Sequence, residues 1–148
     1  MIVDTDALSA IADEQPGIRD VLQRAILVAI PVIVLGEYRF GILQSTRRSH
    51  YHKWLRENLP GFRILNITEE TAEHYAGLRL ELKHGGTPIP SNDLWIAALC
   101  REHSLPLLSR DRHFDVVNRL RRLEWLNAQP RAARHSAQGQ ILRKWSKE

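Results

Sequence analysis

Four carboxylates occupy positions typical of catalytic side chains. Asp4 and Asp111 each follow a short apolar run of the kind that forms a buried strand. Asp93 lies in the first turn of a predicted helix, and Glu37 lies in a mostly apolar helical stretch. A capping role would explain Asp4 and Asp111, and the helix dipole would stabilise Asp93. Glu37 is different, because a carboxylate in an apolar stretch must be paired, metal-bound or protonated.

The chemistry of such a set depends on whether the side chains meet. Carboxylates about 4 Å apart repel by about 4 kcal/mol per pair at an effective dielectric constant of about 20. A hard divalent cation relieves that repulsion, and Mg²⁺ prefers oxygen ligands while keeping waters and positions for phosphate oxygens. A cluster of these acids would therefore bind Mg²⁺, with Mn²⁺ as a substitute, and act on phosphate esters. Spacing along the chain does not by itself show that the cluster forms.

The elements that would position these acids alternate between strand-like and helix-like segments. This alternation predicts an α/β fold with a mostly parallel sheet and helices on both faces. Sites in such sheets form outside the carboxyl ends of the strands. Asp4 and Asp111 both follow predicted strands, so we expect both at that edge of the sheet.

The patterns of apolar residues, prolines and caps give approximate boundaries for each element. Thr5 or Asp6 is expected to cap the first helix, Thr68 with Thr71 the fifth, and Ser91 the sixth. The predicted strands cover residues 1–4, 26–30, 63–67, 105–108 and 123–126. The predicted helices cover residues 7–12, 18–24, 32–45, 50–59, a segment ending near 84, 92–103 and 113–120.

Composition limits the class of protein. A chain of 148 residues has the length of one domain, and its single cysteine excludes an internal disulfide. The first residues carry no signal-peptide pattern, and no apolar run approaches the roughly 20 residues that span a bilayer. We therefore expect a cytoplasmic protein without a membrane segment. Residues 129–148 hold five lysines and arginines against one glutamate, which equals the whole net charge of +4, and predict a basic, flexible tail.

The motifs around the four acids resemble those of one known family. Residues 1–5 (MIVDT), 34–38 (VLGEY), 91–98 (SNDLWIAA) and 108–114 (LSRDRHF) are similar, in order and spacing, to the motifs of PIN domains. Within that family they look like the VapC group, the toxin ribonucleases of type II toxin–antitoxin pairs. The resemblance covers residues 1–128 and implies a three-layer α/β/α sandwich with a central, mostly parallel sheet. It leaves the basic tail of residues 129–148 outside.

The resemblance also implies roles for the acids. Asp4, Glu37, Asp93 and Asp111 would form the catalytic quartet, with Asp4 and Asp93 as the main Mg²⁺ or Mn²⁺ ligands. Cleavage of RNA would leave a 5′-phosphate and a 3′-hydroxyl. The implied partners are an RNA substrate, a VapB-like antitoxin and a second copy of the chain. Polar residues expected beside the metal ligands are Thr5, Asp6, Asn92 and Asp115.

Arginines near the quartet are candidates for holding RNA phosphates, because a guanidinium forms two parallel hydrogen bonds with a phosphate. Arg110 and Arg112 flank Asp111, and Arg39 follows Glu37 by two residues. His113 is expected to pack or cap beside Phe114 rather than to act chemically.

Other functions remain compatible with the sequence. The Asp4-Thr5-Asp6 segment is similar to the nucleophile motif of haloacid-dehalogenase-type phosphatases, although no convincing catalytic lysine lies between the acids. A PIN-like module that binds RNA or protein without cleaving is a second alternative, and a housekeeping RNA-processing nuclease is a third. The sequence does not identify the RNA target.

Overall fold

A parallel sheet forms the centre of the molecule. The computed structural model describes residues 1–126, so the predicted tail of residues 129–148 and the domain end at 128 lie outside the described residues. The five strands run parallel in the order β3-β2-β1-β4-β5. They are β1 (Ile2–Val3), β2 (Ala29–Pro31), β3 (Arg63–Leu65), β4 (Leu107–Leu108) and β5 (Arg122–Leu123).

Six α-helices connect and cover the strands. Short 3₁₀ helices follow α4 at Leu59–Gly61 and β4 at Arg112–Val116. The α-helices are α1 (Thr5–Ala12), α2 (Ile18–Leu22), α3 (Val32–Gln44), α4 (Arg48–Asn58), α5 (Glu69–His84) and α6 (Ser91–His103). None of them combines the length and apolarity that crossing a bilayer requires.

The strand order creates two helical layers. The chain moves from β1 outward to β2 and β3, and then returns across the sheet to β4 and β5. Right-handed crossovers therefore place α1 to α4 on one face and α5 with α6 on the other. The packing agrees, because α1, α3 and α4 contact one another and α5 packs along α6. The predicted α/β/α sandwich is confirmed.

The direction in which successive strands are added to the sheet reverses between β1 and β4. Val3 lies opposite Leu108, and the Asp4 amide donates to the Leu108 carbonyl at 3.3 Å. The connection after β1 leads towards β2 and the connection after β4 leads towards β5, in opposite directions across the sheet. Such a pair of connections opens a crevice at the carboxyl ends of the two strands, which is where ligands bind in open α/β sheets. The residues that follow these two strands therefore border the natural site of the fold.

The second strand differs from the predicted one. Only Ala29, Ile30 and Pro31 pair with neighbouring strands, whereas Ile26 is 88% exposed. Prediction of residues 26–30 was wrong because an apolar run does not reveal its register, which here is fixed by pairing of Ala29 with Ile2. β5 likewise begins one residue before the predicted 123 and ends after Leu123.

Helix starts were predicted with mixed success. Thr68 caps α5 as expected, and its hydroxyl and that of Thr71 form a reciprocal capping box. The cap of α1 is Asp4 rather than Thr5 or Asp6, which are both inside the helix. Ser91 is the first residue of α6 and not its cap, because Pro90 already holds the extended backbone that precedes the helix.

Candidate active site

Asp4 links the first strand to the first helix. Its Oδ1 accepts a hydrogen bond of 2.8 Å from the Ala7 amide, and the residue is only 6% exposed. Burial raises the pKa of Asp4 to about 6, against the opposing hydrogen bonds from Ser109 and Ala7, and the nearby charges of Asp6 and Asp111 raise it further. The capping explanation is therefore correct, but it leaves a buried carboxylate beside other acids.

Asp111 is held in the turn that follows β4. Its amide donates to the hydroxyl of the fully buried Ser109 at 2.9 Å, and its Oδ1 accepts from the His113 amide at 2.8 Å. Ser109 also hydrogen-bonds the Asp4 carboxylate. One buried hydroxyl thus connects the two acids that border the crevice, a role that sequence reasoning missed although Ser109 directly follows a buried strand.

Asp93 lies near the other acids and comes from a helix on the opposite face of the sheet. It lies in the first turn of α6 and is partly buried. Burial is the largest cause that raises the pKa of its carboxyl, and the charge of Asp111 is the next. Glu37 and Asp6 raise it as well, whereas His113 lowers it. The side chains of Asp6, Glu37 and Asp111 therefore all lie within electrostatic reach of Asp93.

Glu37 bridges two helices. Its Oε2 accepts from the Thr5 hydroxyl and its Oε1 from the Asn92 side-chain amide, both at 2.5 Å. Thr5 is the first residue of α1 and Asn92 the second residue of α6, so this carboxylate joins the two helical layers at the crevice. The requirement that Glu37 be paired is met by two donors that fix both oxygens.

We call Asp4, Glu37, Asp93 and Asp111 the acidic cluster. The structure brings together all four acids that the sequence singled out, and it places Thr5, Asp6 and Asn92 beside them.

His113 is the main addition to the predicted set. Its Nδ1 lies 3.1 Å from Asp111 Oδ1 and 3.8 Å from Asp93 Oδ2, while its side chain is 61% exposed. The expected packing of His113 beside Phe114 was wrong, because Phe114 is buried whereas the exposed His113 side chain turns towards the acids. The signal was its position two residues after Asp111, where a side-chain cap draws the backbone of the following residues close to the carboxylate.

The donor set fits a divalent cation. Ligand atoms of Asp93, Asp111 and His113 all lie within 4.8 Å of one another. Burial is the main cause that raises the pKa values of Asp4 and Asp93, and the charges of neighbouring acids raise them further, so a cation held between these acids would relieve both costs. Because the cluster itself contributes only carboxylate oxygens, it suits a hard ion such as Mg²⁺ or Mn²⁺ better than a thiolate-binding one.

One predicted neighbour lies elsewhere. Asp115 pairs with Arg122, whose Nε is 2.6 Å from Asp115 Oδ1. Arg122 also donates to the Ser109 carbonyl at 3.0 Å and pairs with Glu124. Asp115 therefore helps Arg122 to connect β5 with the turn after β4, and it does not point into the acidic cluster.

The three candidate arginines have different surroundings. The Arg110 guanidinium lies 4.2 Å from the centre of the Trp125 ring and donates to the Trp125 carbonyl at 2.8 Å. Arg112 is exposed beside Asp111. Arg39 lies on α3 and lines a separate cavity of about 680 Å³ with residues of α4, including His52 and Arg56. All three arginines are exposed, and Arg112 directly follows Asp111 of the cluster.

Known proteins share both the sequence pattern and the fold. The profile of the PIN domain family matches residues 1–120. Ribonuclease VapC5 of Mycobacterium tuberculosis is 30% identical over 93 residues, which are 62% of this chain and 69% of that protein. Toxin FitB of Neisseria gonorrhoeae is 34% identical over 121 residues, covering 75% of this chain and 87% of that protein.

A solved structure supports the same relationship. The crystal structure of VapBC-5 from Mycobacterium tuberculosis, a member of the VapBC family of toxin–antitoxin systems, superposes with a TM-score of 0.67 at 26% identity. The match covers 83% of this chain and 96% of that one. Together with the acidic cluster at the reversal of the parallel sheet, these likenesses show that the chain belongs to the PIN domain family.

Proposed function

We propose that this protein is a metal-dependent endoribonuclease that acts as the toxin of a VapBC-type toxin–antitoxin pair. The observation that carries the proposal is the acidic cluster, in which Thr5 and Asn92 hold Glu37 over a crevice bordered by Asp4 and Asp111. Relatives named ribonuclease VapC5 and toxin FitB, at 30% and 34% identity, support the reaction and the role. We place its action in the cytoplasm, where RNA substrates are available.

The proposed metal is Mg²⁺, with Mn²⁺ as a substitute, held mainly by Asp4 and Asp93. When bound, it would supply positive charge to a phosphate oxygen and lower the pKa of a water. Asp111 completes the set of oxygen donors, and Glu37 orients the water that attacks the phosphorus. Attack by water would form a new P–O bond while the bond from phosphorus to the 3′-oxygen breaks. The upstream strand would leave, take up a proton and end in a 3′-hydroxyl, and the downstream strand would keep a 5′-phosphate.

The residues around the acids keep this arrangement in place. Thr5 and Asn92 each donate to one oxygen of Glu37, so its carboxylate plane cannot rotate freely. Ser109 and the Ala7 amide both bond Asp4, and Asp111 is tied to the backbone of its own turn. Carboxylates fixed in this way are preorganised for a metal and need little rearrangement when it binds.

The proposed protein partner is a VapB-like antitoxin. A cluster of acids in an open crevice is electrostatically complementary to a basic side chain of an inhibitor. The crystal structure of VapBC-5, which has the same fold, is described as that of a toxin–antitoxin family member. An inhibitor that places a guanidinium against the acidic cluster would neutralise the charge that the metal needs.

The alternatives receive less support. Family membership and the exposure of Asp6, the second acid of the phosphatase-like segment, weigh against a haloacid-dehalogenase-type reaction. A non-cleaving module would gain nothing from holding Asp4 and Asp93 where burial, and then the charges of neighbouring acids, raise the pKa of both carboxyls. A housekeeping nuclease would use the same chemistry, so the cellular role separates it from a toxin.

The ends of the products test the reaction. Purified protein is incubated with single-stranded RNA and Mg²⁺, and the fragments are probed for 5′-phosphate and 3′-hydroxyl groups. We expect both, because the attacking group is water and not the 2′-hydroxyl of the RNA. Fragments that end in 2′,3′-cyclic phosphate would overturn the proposed mechanism. Growth arrest on induced expression, relieved by the adjacent gene product, distinguishes a toxin from a housekeeping enzyme.

A further inference from the structure

A cavity of about 400 Å³ adjoins the start of α6. Its walls come from α5 between Tyr75 and Lys83, the connection after it and the first turn of α6. Ser91 forms part of its rim and directly precedes Asn92, the residue that holds Glu37. The first turn of α6 therefore borders the cavity through Ser91 and contacts the acidic cluster through Asn92. The lining residues are Tyr75, Arg79, Leu82, Lys83, Pro88, Ile89, Ser91 and Leu94.

The charge of this cavity is opposite to that of the acidic cluster. Arg79 and Lys83 lie one turn apart on α5, are both exposed, and so present two cations to the same space. Among the described residues, no carboxylate lines the cavity, and neither cation forms an ion pair. By contrast, Arg101 on the other side of the helix pair is bound by Glu81 at 2.8 Å.

Aromatic stacking fixes the position of one cation. Tyr75 stacks on Trp95 with ring centres 3.9 Å apart, and its hydroxyl lies 3.4 Å from the Ser91 hydroxyl. Arg79 donates to that Tyr75 hydroxyl at 3.3 Å, and its guanidinium lies 6.0 Å from the ring centre. A guanidinium held against an aromatic ring loses less conformational freedom when it binds an anion.

An RNA strand bound at the acidic cluster needs cations nearby, because its phosphates would otherwise meet several carboxylates. Resting on the function proposed above, we infer that the cavity binds a nucleotide that neighbours the scissile phosphate. Arg79 and Lys83 hold its phosphate, and the apolar floor receives the sugar and base. The floor is formed by Leu82, Pro88, Ile89 and Leu94.

RNA binding without cleavage tests this directly. The Asp93→Asn protein is titrated with fluorescein-labelled single-stranded RNA at several salt concentrations, with and without Arg79→Gln and Lys83→Gln together. We expect the pair of substitutions to raise Kd about tenfold, or about 1.4 kcal/mol. The slope of log Kd against log salt should fall by about 0.7, since the two cations neutralise one phosphate and each phosphate neutralised on a single strand contributes about 0.7.

A matched control separates a local contact from a general charge effect. Arg24→Gln with Lys53→Gln removes the same charge from α4 and the segment after α2, and should leave both Kd and the salt slope unchanged. Arg79→Lys with Lys83→Arg keeps the charges and should bind RNA within about threefold of the parent. Thermal unfolding of each variant shows whether the fold is intact. Equal effects of the two neutralising pairs would overturn the inference.

The results also separate this inference from the proposed function. If wild-type protein cleaves RNA and the Arg79→Gln, Lys83→Gln pair raises KM while kcat stays constant, both stand. If the wild type cleaves and the pair has no effect on binding or KM, the nucleotide site is refuted and the nuclease stands. If the pair weakens RNA binding but the wild type never cleaves, the nuclease function is refuted and the nucleotide site stands. The nucleotide site is also refuted if the Arg79→Gln, Lys83→Gln pair weakens binding only of a polyglutamate peptide and not of RNA. The same conclusion follows if the pair changes only the sedimentation of the protein.

Discussion

At the scale of single residues, two acids of the cluster both cap helices and border the crevice. Asp4 and Asp111 each accept a backbone N–H of the helix that follows, with Oδ1 at 2.8 Å from the donor nitrogen. The caps orient each carboxylate and leave its second oxygen for other contacts. Capping and catalysis are thus not competing explanations for these positions, because one supplies the geometry for the other.

Replacement of Asp4 by asparagine should stabilise the metal-free protein. The folded-state pKa of about 6 lies above the ordinary value of 3.8, so the folded state binds more protons than the unfolded state between these values. Stability therefore falls as pH rises from about 4 to 6, by about 3 kcal/mol for this group. Asparagine remains a good cap and carries no charge.

Urea denaturation in EDTA at neutral pH should show the gain, and the difference from wild type should vanish near pH 4. The variant should at the same time lose RNA cleavage. An Asp4→Asn protein that is less stable than wild type at every pH would contradict the burial argument.

Thr5 should matter for activity although it carries no charge. Valine at this position keeps the shape but removes the donor to Glu37 Oε2. Loss of a partner that orients a metal-site carboxylate typically costs about 10- to 100-fold in activity or metal affinity. Cleavage assays across a Mn²⁺ titration measure the effect, with Thr87→Val in the exposed connection before α6 as control. Unchanged activity would show that Glu37 is not oriented by this bond.

The sequence predicted most of the site at this scale and missed His113. All four acids, Thr5 and Asn92 could be predicted because the motifs that contain them resemble those of PIN domains in order and spacing. The orientation of His113 could not, because it depends on the 3₁₀ helix after Asp111 and on burial of the neighbouring Phe114. A turn of this length is decided by tertiary contacts and leaves little periodic signal in the sequence.

At the scale of elements, the turn between α1 and α2 anchors the end of the described chain. Gly17 has a φ of 84°, and a Cβ built there would lie 1.7 Å from the Leu126 carbonyl oxygen. The same turn makes a second contact with this segment, since Trp125 Nε1 donates a hydrogen bond to Gln15 Oε1 at 3.0 Å. The segment after β5 is thus packed against this turn, with Trp125 buried.

Gly17→Ala should therefore be costly. The left-handed backbone strains any residue with a Cβ, and the clash would displace the segment that carries Trp125. We expect a loss of about 2–4 kcal/mol in the free energy of unfolding. The control is Gly77→Ala in α5, where a Cβ meets nothing within 4 Å, and which should gain about 0.5–1 kcal/mol. Similar effects of the two substitutions in urea denaturation would contradict this view of the turn.

The error in the predicted bounds of the second strand has a tertiary cause, as does the missed orientation of His113. An apolar run of residues 26–30 indicates a buried strand, but the pairing of Ala29 with Ile2 and Arg63 decides which residues enter the sheet. Ile26 is left exposed because the register places it before the first ladder bond. The longer helices were easier to predict, since their apolar residues keep helical spacing over several turns. The helix predicted over residues 113–120 was wrong, because this segment forms only a 3₁₀ helix at Arg112–Val116.

At the scale of the whole molecule, α3 presents an apolar stripe to solvent. Val32, Phe40 and Leu43 are 39%, 61% and 57% exposed and lie on one face at helical spacing. The resemblance to the PIN family implies a second copy of the chain as a partner, and apolar residues grouped on one exposed face are typical of protein interfaces. The opposite face of α3 is buried through Val34, Tyr38 and Ile42.

Phe40→Glu should weaken self-association. A charge at the centre of a buried apolar contact is left without a partner, so we expect a dimer to dissociate at least about tenfold more readily. Sedimentation equilibrium measures the change, and Leu80→Glu on the exposed side of α5 serves as the control. If Leu80→Glu dissociates the protein and Phe40→Glu does not, the stripe on α3 is not the interface.

The central claim is that the acidic cluster is a metal-dependent ribonuclease centre. The most direct test is RNA cleavage by purified protein as a function of Mg²⁺ or Mn²⁺ concentration, with EDTA and Asp93→Asn as controls. We predict cleavage that rises with metal, stops in EDTA and is lost in Asp93→Asn protein whose circular dichroism and melting remain native-like. Cleavage that persists in EDTA or in the folded Asp93→Asn protein would contradict the claim.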